Sequence, residues 1–529
     1  MKRGLIRKSV VAAAALALAA APAAVADTFK VNTDGDLAPN GCTKDDCSVR
    51  EAIIAANKND GKDTVVLRSN RLHGLEILGI DEDKSKTGDL DVLGKTTIKA
   101  SKSNLAAITA NAIDRVLDIH APTKIKRLEI AGGAIDQANE TGFGILAAVD
   151  PVDIKGSLIT GNRGLESNAS SGGLRMGAGG SLVRTTIADN EAGNTGGATI
   201  IGTPDREAVV KRSTITANTA SSTTGGVFTS SFTSVVKSAI IGNTAVQCGG
   251  IDLNGGTVLE DSRVEDNQTV PGATGTYGGG GVCLGSDSKI VGSIVTGNTS
   301  AEDGGGVEVF GGKAIVNSAI HDNLANDEGG GVSVIFSNPF KIERSTFTDN
   351  VAGTDGGGLR AGSARVIVKS STFQGNEGVL GGGIVANDQP TGANDSIVDL
   401  RWSTIAQNNS GSGGGIGGAD GGSFVSEGTV IDGNMGLAAA TDCDATVVSG
   451  GFNLIGDPDG CSAFDQASDI TGGPALLDPL GDYGGPTLTM RPTAGSPVIN
   501  AGGDGCPSFD QRGQPRPKGA ACDIGSVER

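Results

Sequence analysis

Eleven times along this chain an apolar residue is followed three positions later by asparagine: Asn162, Asn190, Asn218, Asn243, Asn267, Asn298, Asn323, Asn350, Asn376, Asn408 and Asn434. Successive asparagines stand 24 to 32 residues apart, about 27 on average. Between them fall ten glycine clusters, from Gly172-Gly173 to Gly413–Gly415, nearly all running straight into Val, Ile or Leu. A unit this short cannot bury an apolar face alone. It must stack on copies of itself, with the uneven spacing absorbed by insertions in some turns.

Within a unit the pattern is that of strands, as in Val209-Val210-Lys211-Arg212-Ser213-Thr214-Ile215, closed by glycine or asparagine at corners. No stretch holds a helical period over any length. Three short strands per turn is the size of a coil in a right-handed parallel β-helix, and the chain is predicted to be all-β on that plan. Stacked coils bring equivalent residues to about 4.8 Å, so the asparagines are expected to align as an internal amide ladder. The glycines supply corners and close backbone approach. Gly413–Gly418 matches a dinucleotide fingerprint, but no strand-turn-helix context surrounds it. The calcium-binding nonapeptide roll fails on its period.

Met1 to Ala26 has a basic start (Lys2, Arg3, Arg7, Lys8), an Ala/Leu core and the small-residue end Ala24-Val25-Ala26, the pattern of a cleavable signal peptide. A secreted, extracellular protein is therefore expected, and no later segment is apolar for long enough to cross a membrane as a helix. The formal charge of −18 becomes four units more negative when the leader's cations are lost, which argues against nucleic acid as a partner. With aromatics at 3%, stacking platforms are scarce.

Eight cysteines in an exported chain point to disulfides. Three neighbouring pairs lie outside the repeats: Cys42 with Cys47, Cys443 with Cys461, and Cys506 with Cys522. Cys248 and Cys283 fall on adjacent coils but four residues out of register, which leaves their pairing open. No Cys-x-x-Cys pair exists and the three histidines are scattered, so zinc is disfavoured. A solenoid also needs a lid at each end. Ser48-Val49-Arg50-Glu51 is a capping box, and Ala52, Ile53 and Ala56 share a face of the short helix that would seal the first coil. The predicted organisation is a leader over 1–26, an N-terminal cap over 27–60, the β-helix over 61–440 and a disulfide-rich C-terminal region over 441–529.

The run Cys47-Ser48-Val49-Arg50-Glu51-Ala52-Ile53, followed by Ala56-Asn57 and Gly88-Asp89-Leu90-Asp91-Val92, resembles the N-terminal CSLREA domain of exported bacterial proteins, with Val49 in place of the usual leucine. The far end resembles the choice-of-anchor Q region, through Asn453-Leu454-Ile455-Gly456-Asp457, Gly484-Gly485-Pro486-Thr487, Asp510-Gln511-Arg512-Gly513 and Cys522-Asp523-Ile524-Gly525. Phe347-Thr-Asp-Asn350 and Gly196-Gly197-Ala198 are similar to repeats of polymorphic outer-membrane autotransporters. Together these imply a secreted β-helix of the pectate-lyase-like superfamily, mostly without assigned activity. The chain shows no sortase-type motif, basic anchor or translocator barrel, so nothing in it suggests attachment to a cell.

Aligning the coils on the asparagines allows a search for chemistry. Asp303, Glu328 and Asp355 each stand five residues after a ladder asparagine on three successive coils, and Asp322 and Asp349 stand one residue before it on adjacent coils. Stacked like charges repel unless a cation or solvent intervenes. One reading is a Ca²⁺ site formed by Asp303, Glu328 and Asp355, widened by Asp322 and Asp349. The other is that Asp before Asn or Gly suits a turn on an acidic surface. Lys313, Lys341, Arg344 and Arg360 lie in the same coils as candidate bases or sugar-acid contacts, and His321 beside Asp322 as an acid or base. No Ser-His-Asp, Cys-His or zinc-helix arrangement is present. The leading expectation is a non-enzymatic adhesion or binding protein for a polysaccharide, cell-surface or matrix ligand. The alternative is a Ca²⁺-dependent polysaccharide lyase or other carbohydrate-active enzyme on the same scaffold.

Overall fold

The structure is a computed structural model describing residues 25–79, 82–135, 140–164, 166, 168–272, 278–388, 396–437 and 441–529. Nearly all of the expected leader lies outside them. The chain is a right-handed parallel β-helix of about 13 turns. Strands stack into four sheets, and each strand's neighbours are its counterparts one coil before and one coil after. The first sheet runs from Thr28–Lys30 to Thr446–Gly451 and the second from Leu72–Gly74 to Ile470–Thr471; the third runs from Leu90–Val92 to Cys443–Asp444. The fourth, from Ala134–Ile135 to Met435–Gly436, is built mostly of two-residue strands at a corner. One coil shows the order: Val307–Phe310 (third), Ala314–Val316 (first), Ala319–His321 (second) and Leu324–Ala325 (fourth). Parallel pairing does not stop at residue 440 but continues to Thr471.

Strand alternation sends every second side chain inward. In the second sheet Ile215, Ile240, Val264, Val295, Ile320, Phe347, Phe373, Ile405 and Ile431 form one fully buried column, in which the rings of Phe347 and Phe373 stack 4.4 Å apart. Each such side chain contributes roughly 1.5–3 kcal/mol by leaving water.

All eleven repeat asparagines stand in one file at the corner between the second and fourth sheets. Each side-chain Nδ2 donates to Oδ1 of the next asparagine at 2.8–3.0 Å. That same Oδ1 accepts from the previous asparagine's backbone N–H, so the corner's buried polar groups are satisfied rung by rung. The file ends on a carboxylate: Asp442 Oδ1 accepts from both the backbone N and Nδ2 of Asn434 at 2.8 Å.

A second file occupies the corner between the first and second sheets. Backbone N–H groups donate to the hydroxyl one coil ahead, from Ser157 through Thr185, Ser213, Ser238, Ser262, Ser293, Ser318, Ser345, Ser371 and Ser403 to Thr429. Asn453 and then Asp469 terminate it.

The caps form as expected in kind. Helix α1, Val49–Asn57, starts with the full Ser48/Glu51 capping box. Buried Arg50 pairs with both oxygens of Asp36, at 2.7 and 2.8 Å, and donates to the carbonyls of Ser85, Thr87, Gly88 and Asp89, tying the helix to the first coil. After Thr471 the chain turns back along the second sheet. There Ala475, Val498 and Ile524 cover Val430 and Leu454, while Gln511 and Ser526 bond Thr346, Thr372 and Thr404. Disulfides join Cys42 to Cys47, Cys443 to Cys461, Cys506 to Cys522, and also Cys248 to Cys283. The last crosses adjacent third-sheet coils in which Ile251 faces Val282.

Candidate functional site

Where the C-terminal region leaves the second sheet it walls off a cleft of about 510 Å³. Its floor is the outer face of three coils, carrying Asn317, His321, Asp322, Thr346, Thr348 and Asp349, and its far wall is Leu480, Asp482 and Gly485–Leu488. The wall is held by Thr346 Oγ1 donating to the Leu488 carbonyl at 2.6 Å. His321 Nδ1 lies 2.7 Å from Asp322 Oδ2 and 3.1 Å from Thr296 Oγ1 on the preceding rung. Burial, with Asp322 adding to it, raises the Asp349 carboxyl above the usual range, against a smaller opposing pull from His321.

Both aspartates also answer a backbone demand. In all eleven coils the residue before the ladder asparagine is left-handed, with φ between 53° and 70°, and the positions are filled by Gly161, Asp189, Ala217, Gly242, Asp266, Gly297, Asp322, Asp349, Gly375, Gln407 and Gly433. Glycine and aspartate tolerate that conformation best. Two of them, Asp322 and Asp349, line the cleft.

Asp303 and Glu328 are neighbours, with the Glu328 backbone N donating to Asp303 Oδ1 at 3.0 Å. The cation beside them is Arg360, whose Nη2 lies 2.7 Å from Glu328 Oε2 and whose Nε donates to Asn387 Oδ1 at 3.1 Å. Asn387 closes the ring by donating to Glu328 Oε1 at 3.0 Å. Burial raises the carboxyls of Asp303, Glu328 and Asp355, and Arg360 draws each of them back. Beneath lies Glu308, fully buried, in register with Ser333 and through it with Arg360. Among the described residues the Glu308 carboxyl and the Ser333 hydroxyl stand outside hydrogen-bond geometry with any partner. Burial, with Asp303 adding to it, pushes the Glu308 carboxyl well above the ordinary range. Sequence alignment of the coils brought out Asp303, Glu328 and Asp355 but not Glu308, and it left Arg360 as one candidate base among four.

Among the described residues, the group of three ligand atoms lying within 4.8 Å of one another is Asp91, Asp118 and His120, at the N-terminal end of the third sheet. Asp91 pairs in register with Asp118. His120 Nε2 stands 3.2 Å from Asp118 Oδ1 and 3.9 Å from Asp91 Oδ1. Burial first, then Asp114 and Asp91, push Asp89 up to about 9, and burial pushes Asp91 up to about 6. Arg115 serves Asp118 at 2.8 Å and Glu140 at 2.6 Å. The sequence signal was thin, since His120 follows Asp118 by two positions and Asp91 is a whole coil away.

Neither a protein-family model nor a curated protein matches the chain. Similar solved structures include the periplasmic alginate epimerase AlgG, at 12% identity and TM-score 0.36 over 68% of this chain and 76% of that one. Pectate lyase Pel9A is similar at 15% identity and TM-score 0.24 over 95% and 96%. The A-module of Azotobacter vinelandii mannuronan C-5 epimerase AlgE6 is similar at 12% identity and TM-score 0.27 over 84% and 95%. The fold itself rests on the strand ladders described above.

Proposed function

We propose that this is a secreted β-helix protein that binds glycan, with the cleft between the second sheet and the C-terminal region as its binding site. The observation that carries the reading is the cleft lining: hydroxyl, amide and carboxylate groups from successive rungs converge on one hollow beside Leu480 and Leu488. Sugar rings present hydroxyls and apolar faces to such a surface. Because Asp322 and Asp349 are also what the left-handed corner favours, binding stands ahead of catalysis. The test is calorimetric titration of neutral and acidic oligosaccharides against wild type and Asp349→Asn with Thr348→Ala. Saturable binding weakened by the pair of substitutions supports the reading; no saturable binding to any oligosaccharide, or binding indifferent to both substitutions, removes it.

A second reading, a carbohydrate-active enzyme, is favoured by one observation: the 2.7 Å His321–Asp322 pair beside an Asp349 with a raised proton affinity is a usable acid–base set. Incubation with anionic polysaccharides, read by unsaturated or reducing ends, decides it. Turnover in wild type that is lost in His321→Ala would establish the enzyme.

A further inference from the structure

On the first sheet, toward the N-terminal end from the cleft, an acidic protein carries a file of cations. Lys99 faces Lys126, Lys126 faces Lys155, Lys155 faces Val183 and Val183 faces Lys211 on consecutive coils. Adjacent rungs stand about 4.8 Å apart, so this column sets like charges at close to the least distance that strand pairing allows. Through their side chains Lys99, Lys126, Lys155 and Lys211 make no ion pair with any described residue. The neighbouring Asp153 is taken by Arg206 at 2.9 Å and by the Ser181 hydroxyl at 2.8 Å.

The corner that follows points the same way by a separate observation. From Arg127 onward its residue is left-handed on each coil; outside the cationic stretch it is glycine, Asp261 or Asn317 on some coils and Arg344, Ser370, Trp402 or Phe452 on others. Along the cationic stretch the same position is Arg127, Arg184, Arg212 and Lys237, with φ of 50° to 56°. Arg127 donates to the Lys102 and Ala100 carbonyls, but the left-handed backbone itself favours no long cation, and four cations on five successive rungs point to use. Arg184 and Arg212 are exposed and have no side-chain partner among the described residues, while Lys237 sits 3.7 Å from Asp261 where the file ends.

We propose that these two parallel files, strand lysines and corner arginines, form a binding strip for a linear polyanion laid along the solenoid axis, one carrying an anionic group on every repeat and no aromatic base. The strip is narrow and straight, which fits a chain better than a plane. No aromatic side chain stands in either file, so the stacking that single-stranded nucleic acid uses is missing. An acidic polysaccharide and a wall polymer of phosphodiesters share the required chemistry.

The test measures binding of polyuronate, sulfated glycan, inorganic polyphosphate, single-stranded DNA and neutral dextran at low and high ionic strength. Wild type is compared with Lys126→Glu/Lys155→Glu/Lys211→Glu and, as a same-sheet control outside the strip, the exposed Lys289→Glu. Expected is salt-sensitive binding of at least one base-free polyanion, weakened by about tenfold or more in the triple variant and unchanged in the control. Uronate or sulfate binding names an acidic glycan as the source, and polyphosphate binding names a phosphodiester polymer. Failure of every polyanion to bind, equal loss in Lys289→Glu, or a preference for single-stranded DNA overturns the proposal. Matching melting curves for the variants exclude misfolding, and because no cleft residue is altered, the cleft reading stands or falls separately.

Discussion

Gly331 and the side chain of Asn350 are packed so closely that a Cβ on the glycine would lie 3.1 Å from the amide and 2.5 Å from the Gly358 carbonyl. The two repeats of the sequence are thus two sides of one contact, the glycine cluster of one coil lying against the ladder rung that follows it. Asn350 uses both ends of its amide, donating to the Ile320 carbonyl and to Asn376 Oδ1 at 2.9 Å each and accepting from Asn323. Asn350→Ala leaves buried donors without an acceptor and is expected to cost on the order of 1–3 kcal/mol. Gly331→Ala forces two backbones apart and should cost at least as much. Chemical unfolding of both, beside the exposed Thr219→Ala as a neutral control, checks this; unfolding midpoints identical to wild type would refute the shared contact.

The ladder's last acceptor makes a local prediction. Asp442 collects two donors from Asn434 and, through its other oxygen, the Asp457 backbone N–H at 2.8 Å. Asp442→Ala strips three hydrogen bonds from one end of the stack and none from its middle. Hydrogen exchange should accelerate at Asn434 and Asp457 while amides near Asn298 keep their protection. Uniform acceleration along the whole solenoid would mean that the end does not close independently.

How much of this could be read in the sequence depends on what each signal competes with. Asparagine next to apolar residues is rare enough that eleven repetitions declared a ladder. The serine and threonine file does the same work at another corner, but hydroxyl residues are common in strands and turns, and Ser157, Thr185 and Ser213 blend into them. The corner before each asparagine was visible as a recurring Asp or Gly, yet only backbone angles show that Ala217 and Gln407 obey it too. Cys248 and Cys283 were four residues out of register because the bond crosses diagonally from the loop ahead of one strand to the middle of the next. Glu308 was illegible for a different reason: alternation put it on the outer face of its strand, and only the glycine turn folded over it, with Gly304 against its carboxyl, makes it an interior acid.

Acid–base linkage at the N-terminal end should be measurable. Asp89 has its carboxyl pushed from 3.8 up to about 9 by burial and by Asp114 and Asp91, with Arg115 opposing. The folded state therefore holds a proton that the unfolded chain releases above its ordinary value. Stability falls as pH rises from near 4 toward 9, and the contribution is fully present only at the acid end. Asp89→Asn keeps the shape without the charge and should flatten the slope. If melting temperature against pH has the same gradient in both proteins across that window, Asp89 is not the group responsible.

The Arg360 cluster decides what calcium can do on the third sheet. Asp303, Glu328 and Asp355 each feel the Arg360 charge but do not bring three ligand atoms within 4.8 Å of one another, and the fully buried Glu308 lies beneath them. The guanidinium 2.7 Å from Glu328 already supplies these carboxylates with a positive charge. A divalent ion entering the intact cluster must displace Arg360, whose Nε is also held by Asn387. Arg360→Met removes the buried cation and leaves the acids uncompensated, a change of the kind that costs about 3–5 kcal/mol. Part of that loss should be recoverable with millimolar calcium through mass action. The expected result is a calcium-induced rise in melting temperature that is larger in Arg360→Met than in wild type, and that shrinks again when Glu328→Gln is added. Equal shifts in wild type and Arg360→Met would show that the guanidinium and the metal do not compete for these carboxylates.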